Sequence, residues 1–427
     1  MSGNERRPMI VLCPHFEPDT APTGTVMTRI VAELVERGHT VHVVTSLPWY
    51  RNHRIEPAWS GRWVRREVTS WGSITRVHPF PGDDKSNLVR RAVGFVGYSV
   101  LAGVQCLRVG GWGRRAEAVI AMSPPLTLGL TGWLASRIRR APMIFNIQDV
   151  FPDAAVETGA ITNRSIIAVA SWLERVSYRA ADAITVLSDD LRGNVITKLP
   201  RGAADRVHVI PNFVDTDAIE PQDRLTDYRR ELGLGDGQVV LYAGNVGFSQ
   251  SLDLMVAAAR ALPDTTFLIN GDGAARASLE ESARGQANLH FAGYIESSRL
   301  GELLATGDVH VVPLRAGLGR VSVPSKTYSI MAAGRPVVAA IDPGTAVPAI
   351  LEASGGGVSV APDDPAAFIA AVRDLVEHPQ VARRLGALGR QWVVREASPG
   401  AVGAAYDALV QTLGLGGARP PKGPSRR

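Results

Sequence analysis

The sequence has few cysteines and no long apolar segment. Its 427 residues include two cysteines, Cys13 and Cys106, without the spacing of a metal site or a disulfide framework. The stretch 92–107 has no charged residue but is short and contains glycines, whereas a membrane-spanning helix needs about 20 predominantly apolar residues. Residues 1–8 are polar, and the apolar segment 9–13 is too short for a signal peptide. We therefore expect a reduced, cytoplasmic chain without a transmembrane segment.

The chain outside the C-terminal tail has little net charge. The net charge is +5 at pH 7, but residues 416–427 contribute four positive charges in a Pro/Gly-rich segment, which leaves +1 on the rest. A nearly neutral body argues against a nucleic-acid-binding protein, because such proteins concentrate Lys and Arg on the binding surface. We expect a disordered basic tail and no nucleic-acid partner.

Short apolar strands alternate with amphipathic helices along most of the chain, a pattern that predicts α/β layers. The first unit is a strand at 9–13, a loop, a helix at 26–37 and a strand at 41–44. Its loop lies at the carboxyl end of a strand, where open α/β sheets bind ligands. No Gly-x-Gly-x-x-Gly follows that strand, which argues against a nicotinamide cofactor. A second series of alternating strands and helices begins at the strand 239–242, and we place a domain boundary near Asn212.

The segment 321–338 is the most informative part of the sequence. Pro324, Ser325 and Lys326 form a polar turn before a short helix that ends near Gly334, and a strand follows at 337–340. A hydroxyl and a cation at a helix start suit a phosphate group. The other interpretation is an ordinary helix cap with a surface lysine, and the sequence leaves both open.

A glycine-rich turn with Gly244 and Gly247 follows the strand 239–242 and precedes a helix at 252–262. Such a turn lets backbone N–H groups approach a phosphate, or it serves only as a tight connection. No Lys or Arg follows directly, so Lys326 is the predicted cation for a diphosphate.

Polar residues also follow the strand 142–146. Gln148 and Asp149 stand at its carboxyl end, although Asp149 could equally be a helix N-cap. His290 and His310 lie within apolar strands, where we expect core or edge residues rather than metal ligands.

Several motifs resemble glycosyltransferase family 4. Residues 331–337, Met-Ala-Ala-Gly-Arg-Pro-Val, are similar to its small-Gly-x-Pro-Val signature. Gln148-Asp149 with Phe151-Pro152 resembles the Gln-Asp-aromatic-Pro motif of a subgroup acting in capsule, O-antigen and colanic-acid type assembly, which includes fucosamine transferases. The resemblance implies the GT-B fold, two Rossmann-like α/β/α domains facing a cleft. It divides the chain into an acceptor-binding domain, 1–212, a nucleotide-sugar-binding domain, 213–395, a helix crossing back, 396–415, and the tail.

The resemblance also implies the chemistry. A sugar would be transferred, with retention of its anomeric configuration, from a nucleotide-diphosphate donor to a glycan, lipid-linked or small-molecule acceptor. The expected donor is UDP-linked, and N-acetylamino and deoxy sugars are the candidate sugars. No metal or other cofactor is expected. Asp149 and Lys326 are the implied catalytic residues, and His15, Glu17, Gln148 and Asp149 are on the acceptor side. The implied donor-binding residues are Gly24, Gly244, Asn245, Gly247, Ser249, Gln250, Tyr294, Ile295, Pro324, Ser325, Lys326 and Ser329.

Two departures leave alternatives open. The family's Glu-x7-Glu pair is replaced by Val321 and Ser329, and Gln148 stands where many members have a histidine. A serine hydroxyl cannot hold two sugar hydroxyls as a carboxylate does, so the donor pocket should differ in detail. The alternatives are a nucleotide-sugar 2-epimerase of the same fold and a non-catalytic nucleotide-sugar-binding partner.

The run 92–107 is flanked by basic residues, with Arg90 and Arg91 before it and Arg108 after it. Such a segment is typical of a helix lying in a membrane interface, but a buried helix with a solvated end fits equally well. Because the resembling subgroup uses lipid-linked acceptors, peripheral contact with the inner face of the membrane is one expectation.

Overall fold

The computed structural model describes residues 7–51, 53–81, 88–153, 156, 161, 163–319 and 326–415, with the backbone alone for 88–92 and 415. Its contacts divide the chain into two compact units. The first contains Met1–Asn212 and Val402–Arg427, and the second contains Phe213–Ala401.

The first unit is built on an eight-stranded sheet in the order β3-β4-β2-β1-β5-β6-β7-β8. All neighbours are parallel except β3, which pairs antiparallel with β4. The central strands are buried on both sides, which explains their unbroken apolar sequences. Its elements are β1 Met9–Leu12, α1 Pro22–Glu36, β2 Val41–Ser46, β3 Val64–Thr69, β4 Gly72–Val77, α2 Leu88–Arg108, β5 Val119–Ser123, α3 Thr127–Arg139, β6 Met143–Ile147, α4 Arg164–Ala180, β7 Ala183–Val186, α5 Asp189–Thr197 and β8 Val207–Val209.

Strand β1 pairs with β2 on one side and with β5 on the other, so the direction of the chain across the sheet reverses there. Ligands of open α/β sheets bind beside such a reversal, at the carboxyl ends of the strands. The loop that follows β1 lies at this place.

The second unit contains a six-stranded parallel sheet in the order β11-β10-β9-β12-β13-β14. Its elements are α6 Asp227–Glu231, β9 Val239–Ala243, α7 Asp253–Ala261, β10 Thr266–Asn270, α8 Arg276–Ser282, β11 Leu289–Ala292, α9 Leu300–Thr306, β12 Val309–Pro313, α10 Lys326–Ala332, β13 Val337–Ala340, α11 Ala346–Ser354, β14 Gly357–Val360, α12 Pro365–Glu377 and α13 Pro379–Glu396. Gly334 adopts a left-handed conformation, φ 68°, just after α10, as the sequence predicted.

The last helix, α14, covers Pro399–Leu415 and belongs to the first unit from Val402 onward. The Tyr406 hydroxyl accepts a hydrogen bond of 2.6 Å from the Asn146 amide at the end of β6. The His39 ring lies between Glu117, at 2.9 Å, and Asp407, at 2.8 Å. These buried polar contacts fix the helix on the first unit.

The structure differs from the sequence prediction in several elements. Helix α1 begins at Pro22 rather than residue 26, because proline fits the first helical turn without losing a hydrogen bond. The prediction missed α3, whose Gly129 and Gly132 weaken a helical pattern. A side chain at Gly129 would collide with Ser177 of α4, so that glycine permits close helix packing.

His310 is buried in β12 with its Nε2 atom 2.8 Å from the Leu304 carbonyl, and burial lowers its pKa to about 4. It is therefore a core residue, as expected. None of the described helices combines the length and the apolar character needed to cross a bilayer.

Candidate active site

A pocket of about 570 Å³ opens at the carboxyl edge of the first unit's sheet. The loops after five parallel strands contribute to it, and α2 closes one side. Its wall is mostly aromatic and proline side chains with a few polar groups between them, including His15, Trp49, Phe80, Tyr98, Pro124 and Asp149. Such a mixture of apolar surface and few polar groups is typical of a small-molecule site.

The His15 ring is held in this wall by a buried carboxylate. Its Nδ1 atom lies 2.6 Å from Asp19, whose side chain is fully buried. The other Asp19 oxygen accepts a hydrogen bond of 3.2 Å from the Tyr50 backbone N–H. The ring also stacks on Trp49, with 5.7 Å between centroids and 27° between planes. Because both sides of the ring are fixed, His15 presents a defined face to the pocket. Sequence reasoning selected His15 but missed Asp19.

A buried arginine fixes the loop that carries this pair. The Arg76 guanidinium donates to the Phe16 carbonyl at 3.3 Å, to the Glu17 carbonyl, and to Glu67 at 3.2 Å. Burial lowers its pKa, and the Glu67 carboxylate opposes that effect. Loop conformation at the site therefore depends on a residue of β4, 60 positions further along the chain.

Asp149 follows β6 and lines the same pocket. Residues 150–152 are not helical, so Asp149 does not cap a helix directly. The surrounding protein desolvates the carboxyl group and raises its pKa, and no basic side chain of the described residues pairs with it. Asp149 is thus a proton acceptor of raised basicity in the pocket that His15 also lines.

The structure does not bring Gln148 and Glu17 into the pocket wall. Gln148 is buried, and its amide donates to Asn146 at 2.9 Å and accepts from Asn212 at 3.1 Å. Glu17 is exposed in the loop after β1. Gly24 lies buried in α1, where a side chain would come within 3.1 Å of the His15 Cβ, so this glycine lets the helix pack against the loop.

In the second unit, Lys326 reaches the glycine turn after β9. Its ammonium group donates a hydrogen bond of 2.9 Å to the Tyr242 hydroxyl and lies 4.0 Å from the centroid of that ring. A Cβ on Gly244, where φ is 139°, would lie 2.9 Å from the same ammonium. The turn needs glycine for this backbone conformation, and the missing side chain leaves room for the ammonium.

Burial lowers the pKa of Lys326 to about 8 and raises that of Tyr242. The Tyr242 hydroxyl donates to the Asn245 carbonyl at 2.6 Å, which couples the lysine to the turn's backbone. A desolvated cation suits an anionic ligand, since the ligand's negative charge compensates the positive charge that burial has removed from water.

The other predicted donor-side residues lie around this turn or near its partner turn after β10. The Gln250 side chain accepts from the Gly247 N–H at 3.0 Å, and the Tyr294 hydroxyl donates to the Asp272 carbonyl at 3.0 Å. Asn245 and Ser249 are exposed, Ile295 is half-buried, and Ser329 lies one turn beyond Lys326 in α10. Pro324 and Ser325, like Val321, lie outside the described residues.

A second cation that the sequence did not indicate lies beside the turn. The Arg315 backbone N–H donates to the Ser249 carbonyl at 3.0 Å. Its guanidinium contacts Asp253 at 2.6 Å and Asp363 at 3.5 Å. These carboxylates already neutralise the Arg315 guanidinium. Lys326 is the cation closest to Gly244 among the contacts that the structure describes.

Two glycosyltransferase family models match the chain. The model of a glycosyl transferase 4-like domain matches residues 23–212, and that of glycosyl transferases group 1 matches residues 237–378. Together they cover most of both units. The fold and the matches define a glycosyltransferase of the GT-B type. The chain belongs to glycosyltransferase family 4, as the motifs around Asp149 and Lys326 predicted.

Curated relatives carry transferase names. WcaI of Escherichia coli K12, a glycosyl transferase named for colanic acid biosynthesis, is 26% identical over 86% of this chain and 93% of its own. The alpha-D-kanosaminyltransferase of Streptomyces kanamyceticus is 27% identical over 66% of this chain and 74% of its own.

Solved structures confirm the fold. Sucrose-phosphate synthase from Thermosynechococcus elongatus superposes with a TM-score of 0.70 at 18% identity, over 96% of this chain and 100% of its own. Anabaena Alr3699/HepE in complex with UDP gives a TM-score of 0.65 at 13% identity, over 95% of this chain and 100% of its own.

Proposed function

We propose that this enzyme transfers a sugar, with retention, from a UDP-linked donor to a hydroxyl group of a glycan or lipid-linked acceptor in polysaccharide assembly. The second unit holds the donor, and the pocket of the first unit holds the acceptor. The single observation that carries the proposal is the desolvated Lys326 ammonium at the Gly244 turn, because it offers a diphosphate a cation beside a turn without a side chain.

Relatives support the donor class. Alr3699/HepE has been crystallised with UDP and with UDP-glucose, and WcaI is named for colanic acid, a polysaccharide. The kanosaminyltransferase is named for transfer of an amino sugar, which keeps amino sugars among the candidates for this chain.

The pocket of the first unit fits a sugar-containing acceptor. Aromatic and proline faces pack against the C–H faces of a pyranose, while Asp149 and His15 can accept hydrogen bonds from its hydroxyls. Its volume of about 570 Å³ accommodates an oligosaccharide end rather than a macromolecular surface.

In the proposed reaction, the bond between the anomeric carbon and the phosphate oxygen breaks, and its electron pair leaves with the diphosphate. Lys326 stabilises the negative charge that develops there. The acceptor oxygen bonds the anomeric carbon on the side from which the phosphate departs, so configuration is retained. The acceptor proton passes to the leaving phosphate, and Asp149 orients the hydroxyl and stabilises positive charge on the sugar.

A thermal-shift panel of nucleotides and nucleotide sugars tests the donor. A ligand present at 100 times its Kd should stabilise the protein by about 2.7 kcal/mol. We expect UDP and its sugars to raise Tm, with GDP and ADP series as matched controls. A rise confined to another base would overturn the UDP assignment but leave transfer intact.

Product analysis tests the reaction and separates it from the 2-epimerase and the non-catalytic alternatives. With donor alone, a transferase should hydrolyse it slowly, whereas an epimerase would give the 2-epimer of the sugar and a binding protein would leave it unchanged. NMR of the anomeric proton of the transferred sugar then reports retention, and an inverted product would contradict the proposed mechanism.

We also propose a cytoplasmic location with peripheral contact at the inner membrane face. The sequence placed this contact at Arg90, Arg91 and the run 92–107. The side chains of Arg90 and Arg91 lie outside the described ones, so the contact is argued below from the described part of that run and from neighbouring helices.

A further inference from the structure

Helix α2 exposes a stripe of valines. Its exposed positions from residue 93 to residue 107 are all valine, namely Val93, Val96, Val100 and Val104. Their spacing of three and four residues places them on one side of the helix. Val93 and Val100 are 67% and 63% exposed. A helix on the surface of a soluble protein normally carries polar residues on this side, so the stripe calls for an explanation.

Helices α3 and α4 extend this apolar surface. The exposed large apolar side chains are Trp133, Leu134 and Ile138 on α3, and Val169 and Trp172 on α4. The three helices form one layer, since Ser99 of α2 donates a hydrogen bond of 2.7 Å to Thr127 of α3, and Gly129 of α3 packs against Ser177 of α4. We call this surface the three-helix face. Apolar patches of this extent on soluble proteins mark interaction sites.

The charges on the three helices are almost all positive, although Asp182, just after α4, lies 3.8 Å from Arg137. The sequences of the three helices contain eight arginines, no lysine and one acidic residue, Glu174. Glu174 is buried and contacts Lys198 at 2.6 Å, so it contributes no exposed negative charge. Exposed Arg108, Arg137 and Arg175 each lie one turn beyond an apolar residue of the face. Apolar side chains bordered by arginines complement a surface that is apolar inside and anionic at its rim.

We propose that the three-helix face docks on an anionic lipid bilayer, with the valine and tryptophan side chains at the acyl boundary and the arginines among the headgroups. A second copy of the chain fits the same surface less well, because pairing two such faces would bring arginines against arginines without an exposed carboxylate on any of the three helices.

The three-helix face is continuous with the acceptor pocket. Gly94, Phe95 and Tyr98 of α2 line the pocket, and they alternate along the helix with exposed Val93 and Val96. A lipid-anchored acceptor could therefore enter the pocket while its anchor stays in the bilayer. This consequence alone rests on the proposed function, and lipid binding is measured without donor or acceptor, so the two can fail separately.

Vesicle flotation of the full chain tests the proposal. We expect the protein to float with vesicles of phosphatidylglycerol and phosphatidylcholine, and to float far less with phosphatidylcholine alone or at high salt. The variant Val96→Ser/Val100→Ser/Val104→Ser should bind at least tenfold more weakly. Removing three arginines, Arg108→Gln/Arg137→Gln/Arg175→Gln, should weaken binding by about a hundredfold, at about 1 kcal/mol each.

A matched control removes exposed valines from other surfaces. Val68→Ser/Val381→Ser/Val394→Ser changes the same number of exposed valines on β3 and α13 and should float like the unmodified protein. Quenching of tryptophan fluorescence by brominated lipids should fall in Trp133→Phe/Trp172→Phe, which reports contact directly. The proposal would be overturned if the control variant lost as much vesicle binding as the valine variant, or if flotation did not depend on lipid charge. It would also be overturned if the protein bound no lipid and formed a dimer that the valine variant could not form.

Discussion

The Nδ1 atom of His15 lies 2.6 Å from a carboxylate oxygen of Asp19, and the Asp19 side chain is fully buried. Because an ionised carboxylate can only accept hydrogen bonds, a neutral His15 ring carries its proton on Nδ1 and leaves Nε2 as an acceptor. His15 lines the acceptor pocket. This pair thus gives the pocket a hydrogen-bond acceptor of fixed tautomer, ready for an acceptor hydroxyl.

We predict that Asp19→Asn impairs use of the acceptor while leaving the donor unaffected. The amide can donate to Nδ1 and so favours the opposite tautomer, which turns Nε2 into a donor. We expect kcat/KM for the acceptor to fall roughly tenfold to a hundredfold, with UDP affinity unchanged. The ¹⁵N shifts of the His15 ring report the tautomer.

Asp205→Asn, an exposed carboxylate elsewhere in the first unit, is the matched control for that variant. A wild-type tautomer in a well-folded Asp19→Asn protein, with the acceptor kinetics unchanged, would show that the pair is only structural.

Lys326→Ala should weaken diphosphate ligands far more than nucleosides. The ammonium is the cation at the Gly244 turn, and a hydrogen bond to a charged group contributes roughly 1.5–3 kcal/mol. Calorimetry should therefore show UDP affinity falling by one to two orders of magnitude and uridine affinity nearly unchanged. Arg284→Ala, an exposed cation of the same unit, serves as the control. Equal losses for UDP and uridine would remove Lys326 from the phosphate site.

UDP affinity should also depend on pH through Lys326. Burial sets the pKa of this lysine at about 8 in the free protein. The charged form predominates below that pH and binds the diphosphate, and the neutral form predominates above it. UDP affinity should be level below about pH 7 and should fall as pH rises through 8. Well above pH 8 the fall should approach tenfold for each pH unit. Uridine should show no such fall, and Lys326→Arg should abolish it because arginine stays charged. A level UDP profile would contradict the assignment.

Periodic features of the fold could be predicted from the sequence. The alternation of buried strands and helices is a local signal, and so is the left-handed glycine that ends a short helix at Gly334. The family motifs placed Lys326 and the Gly244 turn at one ligand. The structure brings them together, although 82 residues separate them.

The residues that shape the sites could not be predicted in the same way. Tyr242 was treated as the end of a strand, yet its ring and hydroxyl hold Lys326. Asp19 and Arg76 act through loop conformation, which has no sequence period. The hydrogen bonds of Gln148 to Asn146 and Asn212 were not predicted either. Each depends on contacts between distant segments, so single-sequence patterns carry no signal for them.

Asp149→Asn provides the sharpest test of the acceptor side. Asp149 lines the pocket, and desolvation raises the pKa of its carboxyl group above the ordinary value. A carboxylate there can orient the acceptor hydroxyl and stabilise positive charge on the sugar, whereas an amide keeps the shape without the charge. We expect at least a hundredfold loss in kcat with unchanged UDP affinity.

The pH dependence gives Asp149 a second signature. Because the pKa is raised, the carboxylate is protonated at a higher pH than an exposed aspartate, so turnover of the unmodified enzyme should fall with acidification earlier than for an exposed carboxylate. In Asp149→Asn the remaining activity should lose that acid limb. If Asp149 served only to support the loop, turnover would stay near normal, since asparagine keeps the shape and one acceptor oxygen of the side chain. Near-normal turnover and an intact acid limb in the folded variant would therefore return Asp149 to a structural role and leave His15 as the polar group to test next.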